Sequence, residues 1–174
     1  MSGVYLARTN QKLNFTRLHL DALKVAHEST GWSKHALIES YNESVLFHMV
    51  SAYSSLLREI AEQYRFDANR ISKLSQLTEQ MEAQGLEAPE VLELQQLHSD
   101  SGSWLHQLLA AYKACWRAEE HNQSAAQAQS VSEIHVMQIN PDHAEDADIL
   151  KEYQSWFNQF KLLIEHLRAS MQEW

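Results

Sequence analysis

Along most of the chain, apolar residues recur at intervals of three and four, the spacing that gathers them on one side of an α-helix. The first such run covers about Arg8 to Ser29, with Leu13, Leu20 and Leu23 on one side and Phe15, Leu18, Ala22 and Val25 on the other. Apolar residues on two sides predict a helix packed between neighbours. Gly31 is read as its C′ residue and Ser33 as the N-cap of the next helix. That second run, about Lys34 to Tyr64, contains no breaker. One of its stripes reads Leu37, Tyr41, Val45, His48, Ala52, Ser55, and another reads Leu46, Met49, Val50, Tyr53, Leu57, Ile60. Two stripes predict a central helix, and the short link around Trp32 makes helices one and two an antiparallel hairpin.

A third helix is predicted over about Ala68 to Gln84, with Asp67 as N-cap, Gly85 as stop and a narrow apolar stripe of Ile71, Leu74, Leu77 and Met81. Pro89 suits the first position of a fourth helix that runs to about His98. A fifth, about Ser103 to His121, carries Trp104, Leu105, Leu108, Leu109, Tyr112, Cys115 and Trp116. Residues 122–130 are polar and of low complexity. Val131 to Ile139 has β character and reads either as a crossover packed on the bundle, which is preferred, or as a ribbon paired with its own copy in a homodimer. The last helix, about Ala144 to Met171, carries Leu150, Tyr153, Phe157, Phe160, Ile164 and Leu167.

Composition strengthens the helical reading. Only 4 glycines and 2 prolines occur in 174 residues, so turns are few and elements long. Leu (22) and Ala (19) far outnumber Val plus Ile (14), the balance of helices rather than sheets. The fold class is all-α: one domain spanning 1–174, an up-and-down bundle of about six helices. Four long helices, one, two, five and six, form the core, and three and four form an outer pair. The glycines are isolated, so no phosphate-binding loop and no nucleophile elbow is present. A chain of this length can bury a core without disulfides or metal.

Charge and cysteine narrow the function further. With 14 basic and 23 acidic residues the formal charge is −9, and the basic residues are scattered, which argues against binding duplex nucleic acid. No apolar run is long enough to span a membrane, and the N-terminus does not read as a signal peptide, so the expected location is the cytoplasm. A single cysteine, Cys115, excludes an intrachain disulfide.

Ten histidines raise the question of a metal site. A Glu-x-x-His spacing would aim two ligands at one ion, but none of the residues three before a histidine is acidic, and no two histidines lie four apart. No metal and no cofactor is predicted. The polar residues that invite attention are Glu39, Glu43 and His48, set in the most apolar helix, with Arg17 placed to meet one of them across the hairpin. They admit two readings: a buried ion pair that fixes helix register, or a pocket with a perturbed carboxylate. Cys115, between Tyr112 and Trp116, reads as a small hydrophobe rather than a nucleophile. The five tryptophans read as core, or as interface anchors where exposed, Trp174 first among them.

Several segments together resemble a family of small helical proteins from proteobacteria known only as a domain of unknown function. They are Arg8-Thr-Asn-Gln-Lys-Leu13 with Arg17-Leu-His-Leu20, Glu39-Ser40 to Phe47-His48 with Ala52-Tyr53, Trp104-Leu105 with Ala111-Tyr112, and Leu167-Arg168 to Met171 with Glu173-Trp174. The resemblance spans nearly the whole chain and implies no activity. A looser similarity is to HEPN helical bundles, some of them ribonucleases, whose motif is Arg, four to six residues, then His. Arg117 and His121 are separated by only three residues, so that motif fails here. The expected function is a non-enzymatic structural or protein-interaction domain with an unknown protein partner, or a second copy of itself. The alternative is a HEPN-like enzyme or toxin-type subunit with a polar site on the second helix.

Overall fold

The computed structural model describes residues 3–117 and 143–172, with side chains in the last helix from residue 147 onward. Among them are six α-helices and no strand: α1 (Val4–Glu28), α2 (Lys34–Gln63), α3 (Leu74–Ala83), α4 (Pro89–Ser99), α5 (Trp104–Ala114) and α6 (His143–Gln172), with a 3₁₀ turn at Ala68–Arg70. The segments 122–130 and Val131 to Ile139, together with His121 and Trp174, lie outside the described residues.

The α1–α2 hairpin is the frame. Each helix is long, 25 and 30 residues, and α1 packs chiefly on α2 with its outer flank touching α6. α1 differs from the two-sided helix that its sequence predicts. Thr9, Thr16, Leu20, Leu23 and Ala26 are buried, whereas Leu18 and Val25 face solvent. The stripe facing α2 includes two threonines whose hydroxyls donate to the carbonyls four residues back, Tyr5 and Lys12, both at 2.9 Å. That bond satisfies the hydroxyl inside the helix and lets threonine take an apolar position.

Helix ends follow from identifiable side chains. Gly31 is not the left-handed stop that was expected: α1 ends because Ser29 turns extended (φ −66°, ψ 144°), and the Ser29 Oγ then accepts from the Gly31 N–H at 3.1 Å. Ser33 holds the N-cap position of α2 without a side-chain cap bond. The predicted third helix is split. Asp67 caps a single 3₁₀ turn, and α3 begins only at Leu74, where Gln76 Oε1 accepts from the N–H groups of Ser72 (2.8 Å) and Lys73 (3.1 Å). Ser103 caps α5, accepting from His106 N at 3.1 Å while its hydroxyl donates to the Leu97 carbonyl. α5 stops at Ala114, short of the expected His121, as Cys115, Trp116 and Arg117 bond to carbonyls three residues back. Three helices are therefore long among the described residues, and α5 has 11 residues.

α2 and α3 both close with the paired bonds of a Schellman motif. In α3 the left-handed residue is Gly85 (φ +62°), with Leu86 N donating to Met81 O at 2.9 Å. In α2 the same position is occupied by Arg65 (φ +60°), with Phe66 N donating to Ala61 O at 2.9 Å.

One continuous core runs through the molecule. Leu46, Met49, Leu57 and Ile60 of α2 are buried with Leu77 of α3, Leu94 of α4, Leu105 and Leu108 of α5, and Phe160, Ile164 and Leu167 of α6. The Trp104 and Phe160 rings lie 5.5 Å apart, locking α5 to α6. α3 and α4 pack together and close one side of the core.

Candidate functional site

The candidate residues on α2 separate once the helix is packed. Arg17 does not cross the hairpin: its Nη1 pairs with Asp21 at 3.0 Å along α1, both side chains exposed, and its Nη2 donates to Asn14 at 3.1 Å. Glu39 and Glu43 are exposed as well. The expected buried ion pair therefore does not form among these residues.

Glu43 and His48 do come together, on the wall of a groove between α2 and α5. The groove holds about 440 Å³ and is lined by Ser40, Glu43, Ser44, Phe47 and His48 from α2, and by Tyr112, Cys115 and Trp116 from the end of α5. Ser40, Ser44 and Phe47 recur at four and three, so they line the groove along one stripe of α2. Trp116 is 75% exposed and Phe47 47% exposed. The Tyr112 ring meets Trp116 edge-on at 6.1 Å.

Behind the groove, between α1 and α2, lies a box of rings. His48 stacks obliquely on His19 (4.6 Å) and meets Phe15 (5.5 Å) and Phe47 (5.3 Å) edge-on, and His19 meets Tyr41 at 6.1 Å. The Lys12 ammonium lies over Phe15 and Phe47 at 5.6 and 5.5 Å. The Nδ1 atoms of His19 and His48 are buried and make no hydrogen bond among the described residues. Burial, with His19 and Lys12 close by, holds His48 below the ordinary histidine value of 6.5. The ring therefore stays neutral, as its apolar surroundings require.

The groove also holds the thiol of Cys115. Burial first, then the Glu43 carboxylate, pushes its thiol above the ordinary value, and the Sγ–H points to the Ala111 carbonyl at 3.5 Å. A nucleophilic cysteine needs a cation beside it to stabilise the thiolate. Here the neighbour is an anion. Glu43, His48 and Cys115 line one groove, yet their electrostatics run against thiolate chemistry.

The buried charges lie at the other end of α2. Arg168 of α6 grips Glu59 with two bonds, Nε to Oε1 at 2.7 Å and Nη2 to Oε2 at 3.0 Å, and its Nη1 donates to Asn10 of α1 at 3.0 Å. Nearby Glu90, 1% exposed, accepts from the Tyr64 hydroxyl (3.0 Å) and the Ser170 hydroxyl (2.7 Å). Burial and this bond raise the Tyr64 phenol to about 12. These bonds tie α1, α2, α4 and α6 at one end, and a cavity of about 640 Å³ opens beside them. Both members of the Glu59–Arg168 pair carried a signal in the sequence. Glu59 continues the Val45, His48, Ala52, Ser55 stripe by one turn, and Arg168 falls four residues after Ile164. A charge inside an apolar stripe points to a buried partner.

Among the described residues no group of three or more His, Cys, Asp or Glu side chains could hold a metal ion, and no helix is long and apolar enough to cross a membrane. The chain belongs to a family of unknown function, DUF6586, whose match spans residues 1–174. No curated protein and no solved structure matches it.

Proposed function

We propose that the protein is a non-enzymatic interaction domain of the cytoplasm whose α2–α5 groove receives an apolar side chain from a partner protein. The observation that carries this is the pairing of a mostly exposed Trp116 with a half-exposed Phe47 across one groove. Aromatic side chains left uncovered at a concave surface are the usual anchors of protein interfaces. Glu43 on the wall, Glu39 one turn away and the formal charge of −9 favour a partner segment with basic flanks over a second copy of this chain.

The photo-crosslinking residue p-benzoylphenylalanine in place of Trp116, irradiated in the native cell, tests this. The expected product is an adduct with another protein, and a peptide of the joined segment should bind the purified chain at least about tenfold more weakly after Phe47→Ser, the cost of one anchor residue. Adducts between two copies of the chain, or none at all, overturn the reading.

One observation favours a second reading, an enzyme or toxin-type subunit, because Glu43, His48 and Cys115 line the same groove. The raised thiol and the distant Arg17 weigh against it. A cysteine alkylated rapidly at neutral pH would restore it.

A further inference from the structure

We infer that the cavity between the first half of α1 and the second half of α2 is a binding site for the phosphoryl group of a small soluble molecule, held by Arg8, Lys12 and Arg58. The cavity holds about 630 Å³, and its lining includes these three cations and no acid. Such a gathering runs against the balance of the chain, which has 23 acidic residues to 14 basic. None of the three cations forms an ion pair among the described residues. The acids nearest to them in α2 and the turn after it are committed elsewhere. Glu59 is held by Arg168, Glu62 lines a different cavity, and Asp67 pairs with Arg70 at 3.3 Å.

Arg58 is held in place for this role. Its Nε donates to the Ile71 carbonyl at 2.6 Å, and its guanidinium lies 5.6 Å from the centre of the Tyr5 ring, whose hydroxyl donates to Asn69 at 2.9 Å. The guanidinium is thus fixed from two sides, while its two Nη groups make no hydrogen bond among the described residues. Arg8 is exposed and donates through Nη1 to Gln11, which leaves its Nη2 open. The Lys12 ammonium lies over the Phe15 and Phe47 rings, which are neutral and leave its charge uncompensated. Burial, and then Arg8, draw that ammonium below its ordinary value, as expected of cations gathered without an anion. Two guanidinium groups and an ammonium match the three oxygens and double charge of a phosphoryl group, whereas a carboxylate would bring one charge to three cations. The volume leaves room for a body attached to the phosphate. A nucleic-acid strand or an anionic membrane would meet the formal charge of −9 beyond these three residues, so a small soluble carrier is favoured.

Phenyl phosphate, a phosphomonoester on a small apolar body, is the probe. Titrated calorimetrically into the full chain at low salt, it should bind at one site, phenol should not bind, and inorganic phosphate should displace it. Arg8→Gln and Arg58→Gln should each weaken binding at least about tenfold, the effect of one charge-assisted hydrogen bond. Lys24→Gln, at an exposed lysine of α1 outside the cavity, should leave it unchanged. Raising the salt from about 25 to about 200 mM should weaken binding to the unaltered chain. A titration that never saturates, unaltered affinity in either arginine variant, or an equal loss in Lys24→Gln would each overturn the proposal. Two further arms separate the carriers of the phosphate. Vesicles containing phosphatidic acid, which bear the same phosphomonoester, should not sediment the protein, and a single-stranded RNA should not displace phenyl phosphate; either result would overturn the small soluble ligand. Circular dichroism separates loss of the site from loss of the fold, and Arg8→Gln, at an exposed position, carries the test if Arg58→Gln does not fold.

Discussion

Arg168 reaches Glu59 across 109 residues of sequence and holds both of its carboxylate oxygens, at 2.7 and 3.0 Å. The two-point geometry fixes the rotation of α6 against α2 as well as their distance, because a planar guanidinium meets a carboxylate squarely in few orientations. Glu59 is the more deeply buried partner, at 8% side-chain exposure against 22% for Arg168. Removing Arg168 therefore leaves a desolvated anion behind. Arg168→Ala should destabilise the protein by about 2–4 kcal/mol, toward the lower end for broken buried pairs because the arginine is partly wet. The double variant Glu59→Leu/Arg168→Met should recover most of that loss. Urea unfolding midpoints of the three proteins check both halves.

Arg65 sits at φ +60°, where Gly85 sits in the equivalent turn of α3. A side chain in the left-handed region crowds its own backbone at a cost of about 1–2 kcal/mol, partly offset because glycine loses more freedom on folding. Arg65→Gly should thus raise stability by about 0.5–1 kcal/mol. A thermal midpoint at or below wild type would mean that the arginine makes a compensating contact.

Leu108 and Val45 are both fully buried, each at 0% exposure. Leu108→Ala should destabilise by about 2–5 kcal/mol, and Val45→Ala by less, since fewer atoms leave a smaller void. Unchanged urea midpoints would show that α5 does not pack as described.

The contrast between these positions explains what the sequence made legible. The core stripe of α2, the stripes of α3 and α6, and the Pro89 start were readable because they depend on local periodicity and on one backbone property. The exposure of Leu18 and Val25 was not, since an apolar face shows only that burial would be favourable and not that a neighbour is there to provide it. The same gap hid the site. Arg17 could be placed beside α2 by helix count, but its choice of Asp21 depends on the rotation of α1 about its axis. Glu43 and His48 were chosen for being polar in an apolar helix, and they do share a groove. The aromatic rim that gives that groove its character comes from Trp116, which the sequence put in the fifth helix and read, with the other tryptophans, as core or as an interface anchor where exposed.

His48 makes stability fall with acid. Its folded-state value lies below the ordinary 6.5, with burial as the main cause and His19 and Lys12 of α1 adding to it. Glu43 of α2 shares the groove wall with it. An unfolded chain takes up the proton first, so the contribution is fully present above about pH 6.5 and is lost as pH falls from there through the folded value. His48→Gln should flatten the decline of the urea midpoint between about pH 7.5 and 5.5, the span that brackets the ordinary histidine value. Carboxylates titrate in both proteins, so the difference between the two slopes isolates the imidazole. Identical slopes would place the acid sensitivity elsewhere.

Cys115 gives the most direct reading of the groove's electrostatics. Its thiol is held above the ordinary value of 9.0 by burial and by the Glu43 carboxylate. Only the thiolate reacts with iodoacetamide, so alkylation at pH 7.4 should be slower than that of a free thiol and should climb with pH past 9. Glu43→Gln keeps the shape of the side chain and removes its charge, which lowers the thiol's value toward normal and should speed alkylation at pH 8. Burial is unchanged, so the acceleration should be partial. If Glu43→Gln left the rate unaltered, the carboxylate would not face the sulfur, and the groove would not have the acidic wall on which the choice of a basic-flanked partner rests. If the wild-type thiol instead reacted fast at neutral pH, a cation would have to stand beside it, and the case for an interaction domain over an enzyme would fail at this residue.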